Sequence, residues 1–178
     1  MIQNADDRSM RQRFAPLILA GMAACGNAVA APPSRPLPIV EVTTLESRSA
    51  DLRTFINGRA ALINVWASWC EACETELPAL NRLADHLDPS TAVVIGIAAG
   101  EARHTVTEFL ERHPLRYPQL VDEDFRVVDT LGMRRVPTTL VIDRHGWMVF
   151  SGGALDGRAL SAFRRASGER PDAPIGRE

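Results

Sequence analysis

The stretch that decides the fold is residues 64–80, NVWASWCEACETELPAL. It joins an apolar run to an amphipathic one, with Cys70 and Cys73 at the seam. Upstream, residues 60–67 (AALINVWA) are continuously apolar and rich in β-formers, the pattern of a strand buried on both faces. Downstream, Leu77, Leu80, Leu83, Ala84 and Leu87 recur at helical spacing, which predicts a helix over 71–88. Pro78 falls inside that pattern. Without a backbone donor it predicts a kink about one turn after Cys73.

A cysteine where a strand gives way to a helix lies among unpaired N–H groups and partial positive charge, which favour thiolate over thiol. Thiolate is the species that attacks a disulfide, and a second cysteine one turn on can then displace the first from a mixed disulfide. Two other readings compete. A structural zinc site needs four ligands. His86 follows Cys73 at zinc-finger distance, but positions 90–92, where the second histidine belongs, are Ser90, Thr91 and Ala92. His104, His113 and His145 show no ligand spacing either. Two inert buried thiols would have to land at such a junction by coincidence.

The rest of the chain alternates strands and helices. Residues 39–43 (IVEVT) and 91–98 (TAVVIGIA) read as strands, 118–122 (PQLVD) as a short extended piece, and 50–58 (ADLRTFING) as a short helix or turn closed by Gly58. Helical patterns cover 104–113, 123–132 and 156–166. Residues 138–142 (TTLVI) and 147–151 (WMVFS) flank Asp143-Arg144-His145-Gly146, which predicts a β-hairpin. This order predicts an α/β domain over 39–168, a central mixed sheet with helices on both faces. Residues 31–38 (APPSRPLP) read as a stiff linker outside the core, and 169–178 as a polar tail.

The 178-residue chain carries a net charge of −2, which argues against nucleic acid as the main partner. All 20 of its Lys and Arg residues are Arg, so no lysine amine is available for catalysis. Residues 1–30 have the form of an export signal. Arg8, Arg11 and Arg13 precede the apolar run Phe14–Ala24, and Ala28-Val29-Ala30 fits a cleavage site before Ala31. The run falls short of the ~20 residues a spanning helix needs, which leaves an uncleaved anchor as the lesser reading. Cys25 in MAAC offers a third, a lipidated N-terminus. Each places the domain outside the cytoplasm, in the periplasm. The folded domain then keeps only Cys70 and Cys73, which pair in an oxidising compartment.

NVWASWCEAC followed downstream by RVPTTLVIDRHG resembles the thioredoxin superfamily, and within it the exported TlpA/ResA-type thiol–disulfide oxidoreductases. The resemblance spans roughly residues 39–166 and includes the extra strand–helix unit VVIGIAAGEARHTVTEFLERH. It implies a thioredoxin-like fold and assigns roles. Cys70 becomes the exposed nucleophile, Cys73 the resolving cysteine and Trp69 a surface aromatic beside them. Pro137 becomes a cis-proline facing the pair, with the Val136 backbone pairing to an extended substrate segment. Asn64 stands where thioredoxin has a buried aspartate, so the proton must move elsewhere. Glu76 follows Cys73 by three residues on the same predicted helix face, and the related proteins place an acidic residue there. The alternative is that Glu71, Glu74 and Glu76 merely complement a helix N-terminus. Arg134 and Arg135 either favour the thiolate, guide acidic substrates or are solvated loop charges.

The resemblance implies protein thiol and disulfide substrates, a monomer, no cofactor and no metal. Glu71 beside Cys70 opposes the thiolate and no histidine separates the cysteines, which together favour a disulfide reductase. Such a reductase needs a membrane electron donor relaying from cytoplasmic thioredoxin. Cytochrome c biogenesis is one setting for it, although the PTT after Val136 differs from dedicated members. A peroxidase of the same superfamily would want Thr where Ala67 stands. A copper-binding module for oxidase assembly is the alternative from another class. Its relatives space the cysteines one residue wider and add a histidine ligand, and neither feature is present here.

Overall fold

The computed structural model describes residues 34–168. The expected export signal, Cys25 and the polar tail lie outside them. One eight-stranded mixed sheet forms the centre. Its strands are β1 (Arg35–Pro36), β2 (Glu41–Thr44), β3 (Ser49–Asp51), β4 (Ala60–Trp66), β5 (Ala92–Ala99), β6 (Gln119–Asp122), β7 (Thr138–Ile142) and β8 (Trp147–Gly152). They lie in the order β1-β8-β7-β4-β5-β6-β2-β3. The central strands β4, β5 and β6 run parallel, and every other neighbour is antiparallel.

Every residue of β4 and β5 is buried, as their unbroken apolar runs predict. Alternation along β4 sends Ala61, Ile63 and Val65 to one face and Ala60, Leu62 and Trp66 to the other, so each face builds its own core. The first core takes Leu52 and Ile56 from α1 (Leu52–Ile56) and Val127 and Val128 from α5 (Arg126–Thr130). The second takes side chains from α3 (Leu77–His86), α4 (Arg103–Arg112) and α6 (Gly157–Ser167), and it contains both cysteines. The two parallel crossovers, through α3 and α4, therefore share one face of the sheet, as right-handed connections require. Among the described residues no helix is long and apolar enough to cross a membrane.

Three expectations change. The single kinked helix over 71–88 is two helices, α2 (Glu71–Glu74) and α3, with Thr75 and Glu76 between them. Pro78 lies in the first turn of α3, where its missing N–H has no partner to lose, so it starts a helix instead of bending one. The helix expected over 123–132 shortens to α5, because both Asp122 carboxylate oxygens accept the Val127 and Val128 N–H groups and fix its start. Residues 31–38 are not wholly outside the core. Leu37 is buried, β1 pairs with β8, and the Arg35 guanidinium donates to the Leu131 carbonyl.

Candidate active site

The cysteines lie where β4 leaves the sheet. Cys70 caps α2, and its sulfur accepts the Cys73 N–H at 3.1 Å. The two sulfurs are bonded at 2.07 Å, with Cα atoms 5.2 Å apart. Cys70 retains 8% of its surface and Cys73 only 1%. The nucleophile expected to be exposed is thus largely covered in this disulfide state, yet it is the more open of the pair. α2 has four residues, too short for a large macrodipole; the sulfur's stabilisation comes instead from the nearby N–H group.

Two residues far apart in sequence hold this junction. Glu101 follows the end of β5 and is buried, and its Oε2 accepts the Ser68 N–H at 2.6 Å. The Ser68 hydroxyl donates to Oε1 of the same carboxylate. Both bonds pin the turn two residues before Cys70. Below it, the Trp66 indole N–H donates to Gln119 Oε1 at 3.0 Å, and Gln119 in turn donates to the Tyr117 carbonyl. Gly96 permits that crossing, since a Cβ there would lie 2.1 Å from Gln119 Oε1. Sequence reasoning missed Glu101. An acidic residue just past a buried strand end is its one weak signal.

The acidic residues after Cys70 separate by environment. Glu71 and Glu74 are exposed, and Glu74 reaches His113 at 3.5 Å. Glu76 is buried, its backbone N–H donates to the Cys73 carbonyl at 3.0 Å, and its Oε2 accepts the Leu155 N–H at 2.8 Å. Oε1 has no hydrogen-bond partner among the described residues. Burial pushes the Glu76 carboxyl above the ordinary carboxylate range, and the Leu155 N–H opposes that only in part. The helix break removes the shared helix face expected for Cys73 and Glu76, and what links the two residues is the backbone bond from the Glu76 N–H to the Cys73 carbonyl.

The Val136–Pro137 peptide is cis, as the resemblance implied. Val136 packs against both cores, including the one that holds the cysteines. Trp69 is 69% exposed, a surface aromatic and not core packing. Asn64 is buried opposite Thr139 on the neighbouring strand, and the polar atoms of both side chains lack partners among the described residues. Arg134 pairs with Asp129 at 2.9 Å. Among the described residues no group of three or more His, Cys, Asp or Glu side chains is placed to hold a metal.

Residues 33–151 match the sequence family described as AhpC/TSA. The chain belongs to the AhpC/TSA family. Its similarity to proteins named thiol-disulfide oxidoreductase ResA agrees with the motifs around Cys70 and Pro137. One such relative, from Halalkalibacterium halodurans, is 33% identical over 105 residues, covering 59% of this chain and 59% of the relative. Another, from Bacillus cereus, is 30% identical over 112 residues, covering 63% and 64%. The chain thus spans about three-fifths of the length of the relatives it matches.

Among solved structures, a thiol:disulfide interchange protein from Bacteroides sp. superposes with a TM-score of 0.67 at 16% identity, covering 80% of this chain and 94% of that one. A thioredoxin family thiol:disulfide interchange protein from Chlorobium tepidum gives 0.63 at 20% identity, covering 78% and 99%. The fold of this AhpC/TSA protein is thioredoxin-like.

Proposed function

We propose that this protein is an exported thiol–disulfide oxidoreductase that reduces disulfides in other proteins. The observation that carries the reading is the asymmetric pair, in which the more open Cys70 sulfur accepts a backbone N–H and the closed Cys73 lies within bonding distance. Cys70 thiolate attacks one sulfur of a substrate disulfide. That S–S bond breaks, a Cys70–substrate disulfide forms, and the second substrate sulfur leaves as thiolate. Glu76 takes the Cys73 proton, and the Cys73 sulfur displaces the substrate from Cys70. Reduced substrate departs, and the Cys70–Cys73 disulfide returns.

Trp69 and the Val136–Pro137 edge receive the substrate. Each cycle consumes two electrons, so a dithiol donor must restore the pair, and a membrane protein relaying from cytoplasmic thioredoxin has the required chemistry. The basic n-region and apolar run of residues 1–30 support the periplasm as the compartment. Insulin reduction by the full chain, with dithiothreitol as donor, tests the reading. The wild type accelerates precipitation of the insulin B chain, and Cys70→Ser abolishes the acceleration. Equal rates for the two proteins would overturn it.

A further inference from the structure

Trp69, the residue before Cys70, lines a groove of about 430 Å³ together with Phe125. The buried Val65, Ala99, Val128 and Met133 also line it, as do the exposed Arg135 and the half-buried Val136. Only four large apolar side chains are strongly exposed among the described residues, and two of them, Trp69 and Phe125, border this one groove. An exposed apolar concavity of this kind marks a binding surface.

Phe125 is held there by its backbone. Its φ of 61° lies in the left-handed region, uncommon for so bulky a residue. The ring lies over Gly100, where a Cβ would fall 2.0 Å from Phe125 Cζ. Burial does not explain the conformation, since the side chain stays 49% exposed. The charged residues that line the groove are Asp129, Arg134 and Arg135. Asp129 is matched by Arg134, whereas Arg135 is exposed and has no ion pair among the described residues. Arg135 also directly precedes the Val136–Pro137 edge, and its carbonyl accepts the Thr138 hydroxyl at 2.6 Å, which fixes that loop.

We infer that this groove selects the substrate. Its occupant is an extended polypeptide segment whose disulfide cysteine is flanked by a large apolar side chain, with a carboxylate close by for Arg135. The aromatic walls take the apolar side chain and Arg135 the carboxylate, while the segment's cysteine meets Cys70. The inference rests on the disulfide exchange proposed above and names the class of segment on which that exchange acts.

The test uses the reduced full chain and three synthetic pentapeptides, Glu-Phe-Cys-Phe-Glu, Glu-Ser-Cys-Ser-Glu and Lys-Phe-Cys-Phe-Lys. Each cysteine is joined in a mixed disulfide to thionitrobenzoate. Attack by Cys70 on the peptide sulfur expels thionitrobenzoate, whose absorbance gives the rate; Cys73 then releases the peptide thiolate and closes the Cys70–Cys73 bond. The first peptide is expected to react roughly tenfold faster than the second. It should also outpace the third by about threefold, a margin that salt reduces.

Phe125→Gly, which suits the positive φ, should collapse the first ratio to about twofold or less, and Arg135→Glu should invert the second. Wild-type rates within twofold of one another, or ratios that survive both substitutions, would overturn the inference while leaving disulfide exchange intact. Concentration-dependent dimers abolished by Phe125→Gly, with no peptide discrimination, would give the groove to a second copy of this chain and also overturn it. Failure to release thionitrobenzoate from any peptide would remove the exchange reading itself.

Discussion

The Leu155 amide N–H donates to Glu76 Oε2 at 2.8 Å, across 79 residues of sequence. It ties the loop before α6 to the break between α2 and α3, and it leaves the carboxylate's other oxygen without a partner among the described residues. A carboxyl held this way in a buried site, with its pKa pushed up by desolvation, favours its protonated form more than an ordinary glutamate does, which suits it to hold and return a proton.

Glu76→Gln is therefore expected to slow turnover near neutral pH, on the order of a hundredfold if proton transfer limits the rate. Stability should move the other way. At low pH the carboxyl is neutral in both folded and unfolded chains. As pH rises the unfolded chain loses its proton first, because burial holds the folded pKa up, so stability falls until the folded group ionises too. Glutamine removes that loss. Denaturation midpoints should favour the variant at about pH 7.5 and converge toward about pH 4. An unchanged pH–rate profile would remove Glu76 from the mechanism.

Cys73→Ser should leave Cys70 able to attack but unable to release what it has caught. Exported proteins joined to the variant by disulfides are then expected on non-reducing gels and should vanish with dithiothreitol. Cys70→Ser, which keeps only the 1%-exposed sulfur, should trap little. Adducts of equal yield on both variants would contradict the assignment of nucleophile and resolving cysteine.

Glu101 accepts both the Ser68 N–H and the Ser68 hydroxyl. Glu101→Ala strands a partly buried amide and should cost about 1–3 kcal/mol in urea denaturation, whereas Ser68→Ala removes one bond and should cost about 1 kcal/mol. Because the turn leads straight to Cys70, Glu101→Ala should also slow thiol exchange, and Glu101→Gln should restore part of the rate. Loss of stability with exchange unaffected would make Glu101 a fold residue alone.

How far the sequence discloses the site follows from the range of each interaction. The buried runs of β4 and β5, the hairpin around Asp143–Gly146 and the cysteine pair are local patterns, legible in a few residues. The Ser68–Glu101 contact spans 33 residues and the Glu76–Leu155 contact 79, and no periodicity announces either. β1 is two residues long with a proline, so it reads as a linker until Leu37 and Arg35 are seen packed against the sheet. The break before α3 was within reach, because proline in a helix's first turn signals a start as readily as a kink. The conformation of Phe125 was not, since no propensity places phenylalanine at a positive φ.

That conformation yields a last prediction. Gly100 has a φ of 72°, and a Cβ there would run into the Phe125 ring, so Gly100→Ala carries two separable costs. The left-handed backbone costs about 1–2 kcal/mol for any residue with a Cβ. The collision adds about 0.5–1.5 kcal/mol, the cost of turning the half-exposed ring away from its place over Gly100. Phe125→Gly alone should be nearly neutral, exchanging the ring's contact for relief of its positive φ. Adding Phe125→Gly to Gly100→Ala should therefore abolish the collision and leave the backbone cost, a coupling of about 0.5–1.5 kcal/mol in a double-mutant cycle of denaturation free energies. Strict additivity would mean the ring does not rest on Gly100 in solution, and the aromatic wall of the groove would lose its support.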